Sequence, residues 1–289
     1  MNRKVKQLVT AHRQQEGAGF VVRRPVPTLG LQLVDPFLLI DELGPVTYGP
    51  GEAVGAPDHP HRGFETVSYI LEGAVEHEDS AGHRGVINAG DVQWMTAGGG
   101  IVHSEMPTRA LLEKGGRVHG FQIWVNLPRR LKLTQPRYQD VPAAAIPEAA
   151  TADGKARAKI IAGSALGVNA VIETHTPIVF QDWTLEPGAD VTIGISPDQQ
   201  VLAYVFDGAI EIEGRAVRDG QMAILGEGDA VRLTGGEGGR LLLLAGVPHR
   251  EPVARYGPFV MTTEDELVQA VRDYQSGRMG EITRTARVG

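Results

Sequence analysis

The sequence predicts an all-β fold made of two similar halves, with one short helix near the C-terminus. Three observations support this prediction: short apolar segments separated by glycine, proline and aspartate, an internal repeat, and a single helical pattern with clear end signals. The chain has 289 residues, and 37 of them are glycine. At roughly 150 residues per domain, this length corresponds to two domains.

Short apolar segments predict the strands in both halves, because each is three to seven residues long and bounded by turn residues. They are Thr66–Leu71, Gly85–Asn88, Val92–Met95, His119–Val125, Ile178–Phe180, Val201–Phe206, Ala223–Leu225 and Leu241–Leu244. Residues 128–150 contain four prolines and a run of small residues, which is typical of a linker. We therefore predict an N-terminal domain at residues 1–135 and a C-terminal domain at residues 148–289.

The chain repeats part of itself. Residues 69–76, YILEGAVE, match residues 204–211, YVFDGAIE, at an offset of 135. A second match aligns residues 89–92, AGDV, with residues 227–230, EGDA, at an offset of 138. A repeat of this length that occurs twice predicts two similar domains rather than a solenoid.

The helical pattern begins at Thr263, which forms a capping box with Glu266. The following apolar residues have helical spacing: Leu267, Val268, Val271 and Tyr274. Gly277 is a helix stop signal, so we predict a helix that ends just before it.

Two motifs in the first half contain side chains that can bind a metal ion: His59-Pro60-His61 and His103-Ser104-Glu105. On a β-strand, residues at i and i+2 share a face about 6.5 Å apart. A lone His-x-His is more often a pair of surface histidines, but two such pairs on neighbouring strands can close on one ion. Three imidazoles and a carboxylate suit Fe, Mn, Co, Ni, Cu or Zn, and such a site leaves open positions for catalysis.

The repeat provides an internal comparison for these motifs. Its offsets map the four predicted ligands, in order, to Gly194, Ser196, Leu241 and Leu243. None of these residues can bind a metal ion. We therefore predict one divalent metal ion per chain, bound in the N-terminal half.

Composition argues against several other classes of protein. Because there is no cysteine, disulfides, thiolate catalysis and cysteine metal sites are ruled out. A net charge of −7 disfavours direct binding to nucleic acid through a basic surface. No apolar segment follows the basic N-terminus, and the longest apolar run is far too short to cross a membrane. We expect a cytoplasmic protein with no membrane association.

The chain resembles the pirin family of the cupin superfamily over nearly its whole length. The resemblance is strongest in residues 59–67, HPHRGFETV, residues 90–98, GDVQWMTAG, and residues 100–107, GIVHSEMP. It continues at residues 35–38, 124–127, 225–229, 250–253 and 257–261. It implies two tandem cupin barrels and a mononuclear Fe(II)-type site. The implied metal ligands are His59, His61, His103 and Glu105.

The resemblance also implies a function, because pirins are associated with quercetin 2,3-dioxygenase activity. The substrates would be a flavonol and O₂, carbon monoxide would be released, and Glu105 would act as the catalytic base for the 3-hydroxyl proton. Animal pirins also act as nuclear co-regulators, and some bacterial members bind metabolic enzymes. A metal-dependent binding module for a protein partner, without relevant turnover, therefore remains the alternative.

Glu65 is a rival ligand, because many cupins place a carboxylate ligand four residues after the second histidine. The resemblance favours Glu105, and we expect Glu65 to hold a ligand imidazole or to pair with Arg62. Trp94 and Trp124 could line an aromatic substrate pocket, but we expect each of them to pack in the core. The histidines outside the two motifs are expected to be ordinary surface or core residues: His12, His77, His83, His119, His175 and His249.

Overall fold

The computed structural model describes residues 1–283, which form twenty-four β-strands, two α-helices and two short 3₁₀ turns. The strands before the first helix are β1 (Val5–Thr10), β2 (His12–Glu16), β3 (Phe20–Val26), β4 (Phe37–Tyr48), β5 (Ala56–His61), β6 (Phe64–Glu72), β7 (Ala74–Asp79), β8 (Arg84–Asn88), β9 (Val92–Thr96) and β10 (Ile101–Pro107). Helix α1 (Arg109–Lys114) follows, and the sequence did not predict it.

The middle of the chain continues with β11 (Gly116–Asn126), β12 (Arg137–Val141), β13 (Glu148–Ala150), β14 (Ala156–Ala162), β15 (Ser164–Ala165) and β16 (Val168–Asn169). The remaining strands are β17 (Ile178–Leu185), β18 (Asp190–Gly194), β19 (Gln200–Ile212), β20 (Arg215–Arg218), β21 (Gln221–Leu225), β22 (Ala230–Gly246), β23 (Ala254–Tyr256) and β24 (Phe259–Met261). Helix α2 (Glu264–Gln275) is the last element. All eight predicted strand segments lie within observed strands.

Two antiparallel sheets form the first barrel. One has the order β5-β10-β7-β8, and the other has the order β12-β9-β6-β11-β4-β3-β2. Strand β12 pairs with β9, so the segment expected to be a linker contributes a strand to this barrel. Short antiparallel strands in two facing sheets are the jelly-roll form of the cupin barrel, which confirms the predicted fold class.

The second barrel is built on a nine-stranded sheet in which β1-β21-β19-β22-β17-β14-β13 are neighbours, with β18 and β20 attached to β22 and β19. Its interior is filled by aliphatic side chains around the fully buried Trp183. This core is continuous across the paired strands, as expected for a barrel whose inward-facing residues alternate with outward-facing ones.

Each compact unit of the fold includes segments that lie far from the rest of that unit in sequence. One compact unit consists of Met1–His12, Arg23–Leu38 and Ala143–His249. The other consists of Arg13–Val22, Leu39–Pro142 and residues 250–283. The central boundary between these units lies between Pro142 and Ala143. The domain ranges 1–135 and 148–289 stay a prediction.

Helix α2 has the predicted capping box. The Glu266 backbone N–H donates to Thr263 Oγ1 at 3.3 Å, and the Thr263 N–H donates to Glu266 Oε2 at 3.1 Å. Leu267 and Ala270 form its buried face, and Gly277 follows the helix with φ +72°. Neither helix of residues 1–283 has the length and apolar composition that crossing a membrane requires.

Strand pairing shows that the second match of the repeat was wrong. Tyr69 on β6 pairs with Val92 on β9, and Tyr204 on β19 pairs with Met222 on β21. Strand β9 therefore corresponds to β21, whereas residues 227–230 precede β22. The two short segments look alike because both place Gly-Asp in a turn before a strand, which is common chemistry for turns.

Candidate metal centre

Two neighbouring strands bring the three predicted histidine ligands together. Strands β5 and β10 pair antiparallel, with His103 opposite His59. One ring nitrogen from each of His59, His61 and His103 lies within 4.8 Å of the other two. His61 and His103 are buried, and His59 is half-buried. The i, i+2 spacing of the sequence therefore places imidazoles on one interior face, as predicted.

The hydrogen bonding of these rings brings their ring nitrogens close together at the centre. His59 Nδ1 lies 2.7 Å from the Pro57 carbonyl oxygen, which can only accept, so Nδ1 carries the proton and Nε2 has a free lone pair. That Nε2 lies 3.0 Å from His61 Nε2. Both ring nitrogens of His103 are buried with no hydrogen-bond partner among the described residues. Each such buried nitrogen costs about 1–3 kcal/mol, which a bound cation would offset.

The electrostatic environment keeps the two buried rings neutral. Burial lowers the pKa of His61 well below its usual value, and the neighbouring imidazole of His59 lowers it further. Burial likewise lowers the pKa of His103, with His61 and His59 adding to the effect. A neutral imidazole has the lone pair that a metal ion needs, so these rings are prepared for metal binding at neutral pH.

Glu105 lies two residues after His103 on β10, on the same interior side of the barrel. Its carboxylate is held by Ser68, whose hydroxyl donates to Glu105 Oε1 at 2.8 Å. The pairing of β10 with β5 shifts register between His103 and Glu105. The group of atoms within 4.8 Å contains the three histidines and not Glu105. The role of Glu105 as fourth ligand therefore stays a prediction.

The rival carboxylate, Glu65, lies on the other face of strand β6. Phe64 and Ser68 face the histidines, since the Phe64 ring lies 5.2 Å from that of His61 and Ser68 binds Glu105. Because side chains alternate along a strand, Glu65 faces away. It is fully buried, burial raises its pKa, and its Oε1 accepts a hydrogen bond from Thr96 at 2.7 Å.

Arg62 is occupied elsewhere. Its guanidinium donates to the Gly99 carbonyl and to Asp273 Oδ2, each at 2.7 Å, so the expected pairing with Glu65 was wrong. The bond to Asp273 ties helix α2 to the residue that follows the candidate ligand His61. The C-terminal segment therefore supports the strand end that carries the candidate centre.

The two tryptophans named in the sequence have different positions. Trp94 is fully buried and pairs with Val67, on the Glu65 face of β6, so core packing is confirmed for it. Trp124 is half-buried, with its ring 5.1 Å from that of His61 and 4.4 Å from that of Phe64. Trp124 therefore packs on the core and also lines the candidate centre.

His77 belongs to the surroundings of the centre, although the sequence placed it among ordinary histidines. It is 1% exposed and pairs across strands with Glu105, and its ring lies 5.6 Å from that of His103. Burial lowers its pKa, while the Glu105 charge acts in the opposite direction. The i, i+2 spacing of paired ligands could not identify His77, because β7 contributes a single histidine to the interior. The repeat could have done so, since its offset of 135 maps His77 to Ile212, a core residue.

The second barrel can be aligned with the first through its strand pairs. Met106 pairs with Glu76 in the first barrel, and Thr234 pairs with Glu211 in the second. Because the repeat equates residues 76 and 211, Thr234 corresponds to Met106, and Val231 therefore corresponds to His103. Val231 lies opposite Ile193, just as His103 lies opposite His59.

This alignment corrects the positions derived from the sequence and leaves the conclusion unchanged. The four predicted ligands correspond, in order, to Ile193, Ile195, Val231 and Leu233. All four are buried in the aliphatic core of the second barrel, and none is more than 4% exposed. At these positions the second barrel has no side chain that binds metal.

The chain has two cupin barrels, with a histidine cluster in the first and aliphatic residues at the same places in the second. This arrangement defines a bicupin, and residues 1–283 contain a single candidate metal centre. Comparison with known proteins agrees with this class. The family model "Pirin" matches residues 19–125, and the model "Pirin C-terminal cupin domain" matches residues 180–280. The chain belongs to the pirin family.

Individual relatives extend over nearly the whole chain. Pirin from Mus musculus is 42% identical over 286 residues, covering 96% of this chain and 94% of the mouse protein. The crystal structure of quercetin 2,3-dioxygenase from Acinetobacter baumannii has a TM-score of 0.91 and 35% identity, covering 98% of this chain and all of that one. The Escherichia coli pirin YhhW in complex with nickel(II) has a TM-score of 0.65, covering 84% of this chain and 99% of its own. At 21% identity, it shows the shared fold alone.

Proposed function

We propose that this pirin is a metal-dependent dioxygenase of the quercetin 2,3-dioxygenase type, with Fe(II) held by His59, His61, His103 and Glu105. The observation that carries the proposal is the cluster of three histidine nitrogens within 4.8 Å of one another, two of them on buried rings. The similarity to the Acinetobacter baumannii enzyme supports the choice of reaction.

The residues of the cluster fit such an ion. Three neutral imidazoles and one carboxylate form a mixed N/O donor set, which suits Fe(II) among the first-row metals. The nitrogens that would hold the ion are already close together, since His59 Nε2 lies 3.0 Å from His61 Nε2. When bound, the metal would act as a Lewis acid that favours the deprotonated form of a flavonol 3-hydroxyl.

The protein side chains would bind and orient the substrate. Glu105 would accept the 3-hydroxyl proton, and Ser68, 2.8 Å from its Oε1, would fix the direction of the carboxylate. Trp124, with the buried Phe64 ring packed against it, forms an aromatic side of the centre beside His61. In the overall reaction, O₂ is the oxidant, and one flavonol and one O₂ give one depside and one carbon monoxide.

The test is turnover by protein reconstituted anaerobically with Fe(II). We expect loss of the flavonol absorption band, O₂ uptake and carbon monoxide release in equal amounts when quercetin is added in air. The control is the same protein after dialysis against a chelator has removed its metal ion. A fully metallated protein that leaves quercetin unchanged over hours would contradict the proposal and favour the metal-dependent binding module.

A further inference from the structure

The hydroxyl of Ser68 lies between two side-chain oxygens beside the candidate centre. Ser68 Oγ is 2.8 Å from Glu105 Oε1 and 2.7 Å from Gln122 Oε1. Ser68 is 4% exposed, and the half-buried Gln122 lies opposite it on the neighbouring strand β11. Ser68 therefore connects Gln122 to the carboxylate that is proposed as the fourth ligand.

The single hydrogen of the Ser68 hydroxyl cannot be donated to both oxygens. A hydroxyl has one hydrogen and two lone pairs, whereas a carboxylate can only accept, so the bond to Glu105 needs that hydrogen. The amide oxygen and nitrogen of Gln122 have nearly the same shape, and when they exchange places the amide donates to Ser68 Oγ. Each group then has a suitable partner, because the amide donates to the hydroxyl and the hydroxyl donates to the carboxylate.

Apolar residues stand at the same positions of the second barrel. The repeat maps Ser68 to Ala203. Ala203 pairs with Leu243, which therefore corresponds to Gln122. Both residues are fully buried in the aliphatic core, as is the counterpart of the carboxylate described above. The fold therefore closes without the hydroxyl and the amide, and the chain has them in the barrel that has the histidine cluster.

We propose that Gln122 is a positioning residue of the candidate metal centre, whose amide donates to Ser68 Oγ and so directs the hydroxyl hydrogen to Glu105. This inference rests on the proposed function, since it concerns the carboxylate assigned there as ligand and base. A hydrogen bond to a carboxylate is charge-assisted, and hydrogen bonds joined in a chain strengthen one another. Gln122 thus acts on Glu105 through Ser68.

The experiment measures the dissociation constant of Co(II) for the metal-free, full-length protein at pH 7.5, by competition with a chelator. The visible absorption spectrum of the Co(II) form is recorded as well, because it responds to the ligands of the ion. Ser68→Ala and Gln122→Leu introduce the residues of the second barrel. We expect Ser68→Ala to weaken Co(II) binding by about tenfold or more. Gln122→Leu should weaken it by on the order of fivefold, the effect of one hydrogen bond, and should change the spectrum in the same direction.

The double variant tests whether Gln122 acts through Ser68. In the Ser68→Ala protein, the additional change Gln122→Leu should cause no further loss of affinity. Gln200→Leu is the matched control, because Gln200 is a half-buried glutamine of the second barrel whose amide donates to the Leu225 carbonyl at 3.2 Å. It should leave the affinity and the spectrum unchanged. Circular dichroism checks the fold of each variant, and the unbranched Gln122→Met replaces Gln122→Leu if that protein does not fold.

Three results would overturn the proposal. Unchanged or tighter Co(II) binding in Gln122→Leu would mean that the amide does not act on Glu105 or competes for the hydroxyl hydrogen. Unchanged binding in Ser68→Ala would exclude the serine as the connection, and so would losses that simply add in the double variant. A non-additive loss in a protein that does not turn over quercetin would leave Gln122 assigned and contradict only the dioxygenase function.

Discussion

The two barrels of this chain share their strand pairing and differ at the same interior positions. Where the first barrel has three histidines and Glu105, the second has isoleucine, valine and leucine in its core. His77 follows the same rule, since its counterpart is the buried Ile212. The cupin fold therefore does not need these polar residues, because the same strand register also encloses a core of aliphatic side chains.

The energetic roles of the two interiors are therefore opposite. Each aliphatic side chain buried in the second barrel contributes about 1.5–3 kcal/mol of stability. In the first barrel, buried ring nitrogens without hydrogen bonds cost about 1–3 kcal/mol each. The first barrel thus loses stability at the positions where the second barrel gains it, which is expected of a binding site.

The largest effect should come from removing the proposed base of the first barrel. Glu105→Gln should lower quercetin turnover by on the order of 10²–10⁴-fold, the range for general-base catalysis. Glu65→Gln is the matched control, because Glu65 lies on the opposite face of β6 and bonds to Thr96. It should cost less than the roughly 10–100-fold typical of residues that support a metal ligand. Full activity in Glu105→Gln and none in Glu65→Gln would show that the carboxylates were assigned in the wrong order.

A histidine placed in the second barrel tests the same comparison by the reverse change. Val231→His puts an imidazole at the position that corresponds to His103, where the surrounding core is aliphatic and offers no side chain for a hydrogen bond. We expect the free energy of unfolding to fall by about 1–3 kcal/mol, measured by urea denaturation. Ile193→Val, a conservative change in the same core, should cost only about 0.5–1.5 kcal/mol. An unchanged stability for Val231→His would mean that the second interior is not the tightly packed core described above.

A smaller effect concerns the pH dependence of stability in the metal-free protein. The pKa values of His61 and His103 are lowered by burial, so the unfolded chain takes up protons first as the pH falls below about 6.5. Acidification must then lower the free energy of unfolding. Urea denaturation at pH 7.5 and 5.5 should show a smaller loss for His103→Val than for wild type. An equal or larger loss in the variant would contradict the neutral state of His103.

Sequence reasoning found what depends on local alternation and missed what depends on distant contacts. The spacing of His59 and His61 determines that they share a face, so their grouping with His103 was predictable. The placement of Trp124 and His77 follows from the pairing of strands far apart in sequence. No local pattern in the sequence predicts that the segment after Arg250 packs on the first barrel. The second repeat match misled because Gly-Asp turns are frequent enough to align by chance.

We expect each chain to bind one metal ion, in the first barrel. Elemental analysis of full-length protein after loading and desalting tests it most directly, with wild type, His103→Val and Ile193→Val compared side by side. We expect one equivalent in wild type and Ile193→Val, and almost none in His103→Val, which carries the residue of the second barrel at that position. A full equivalent retained in His103→Val, or two equivalents in wild type, would contradict the account.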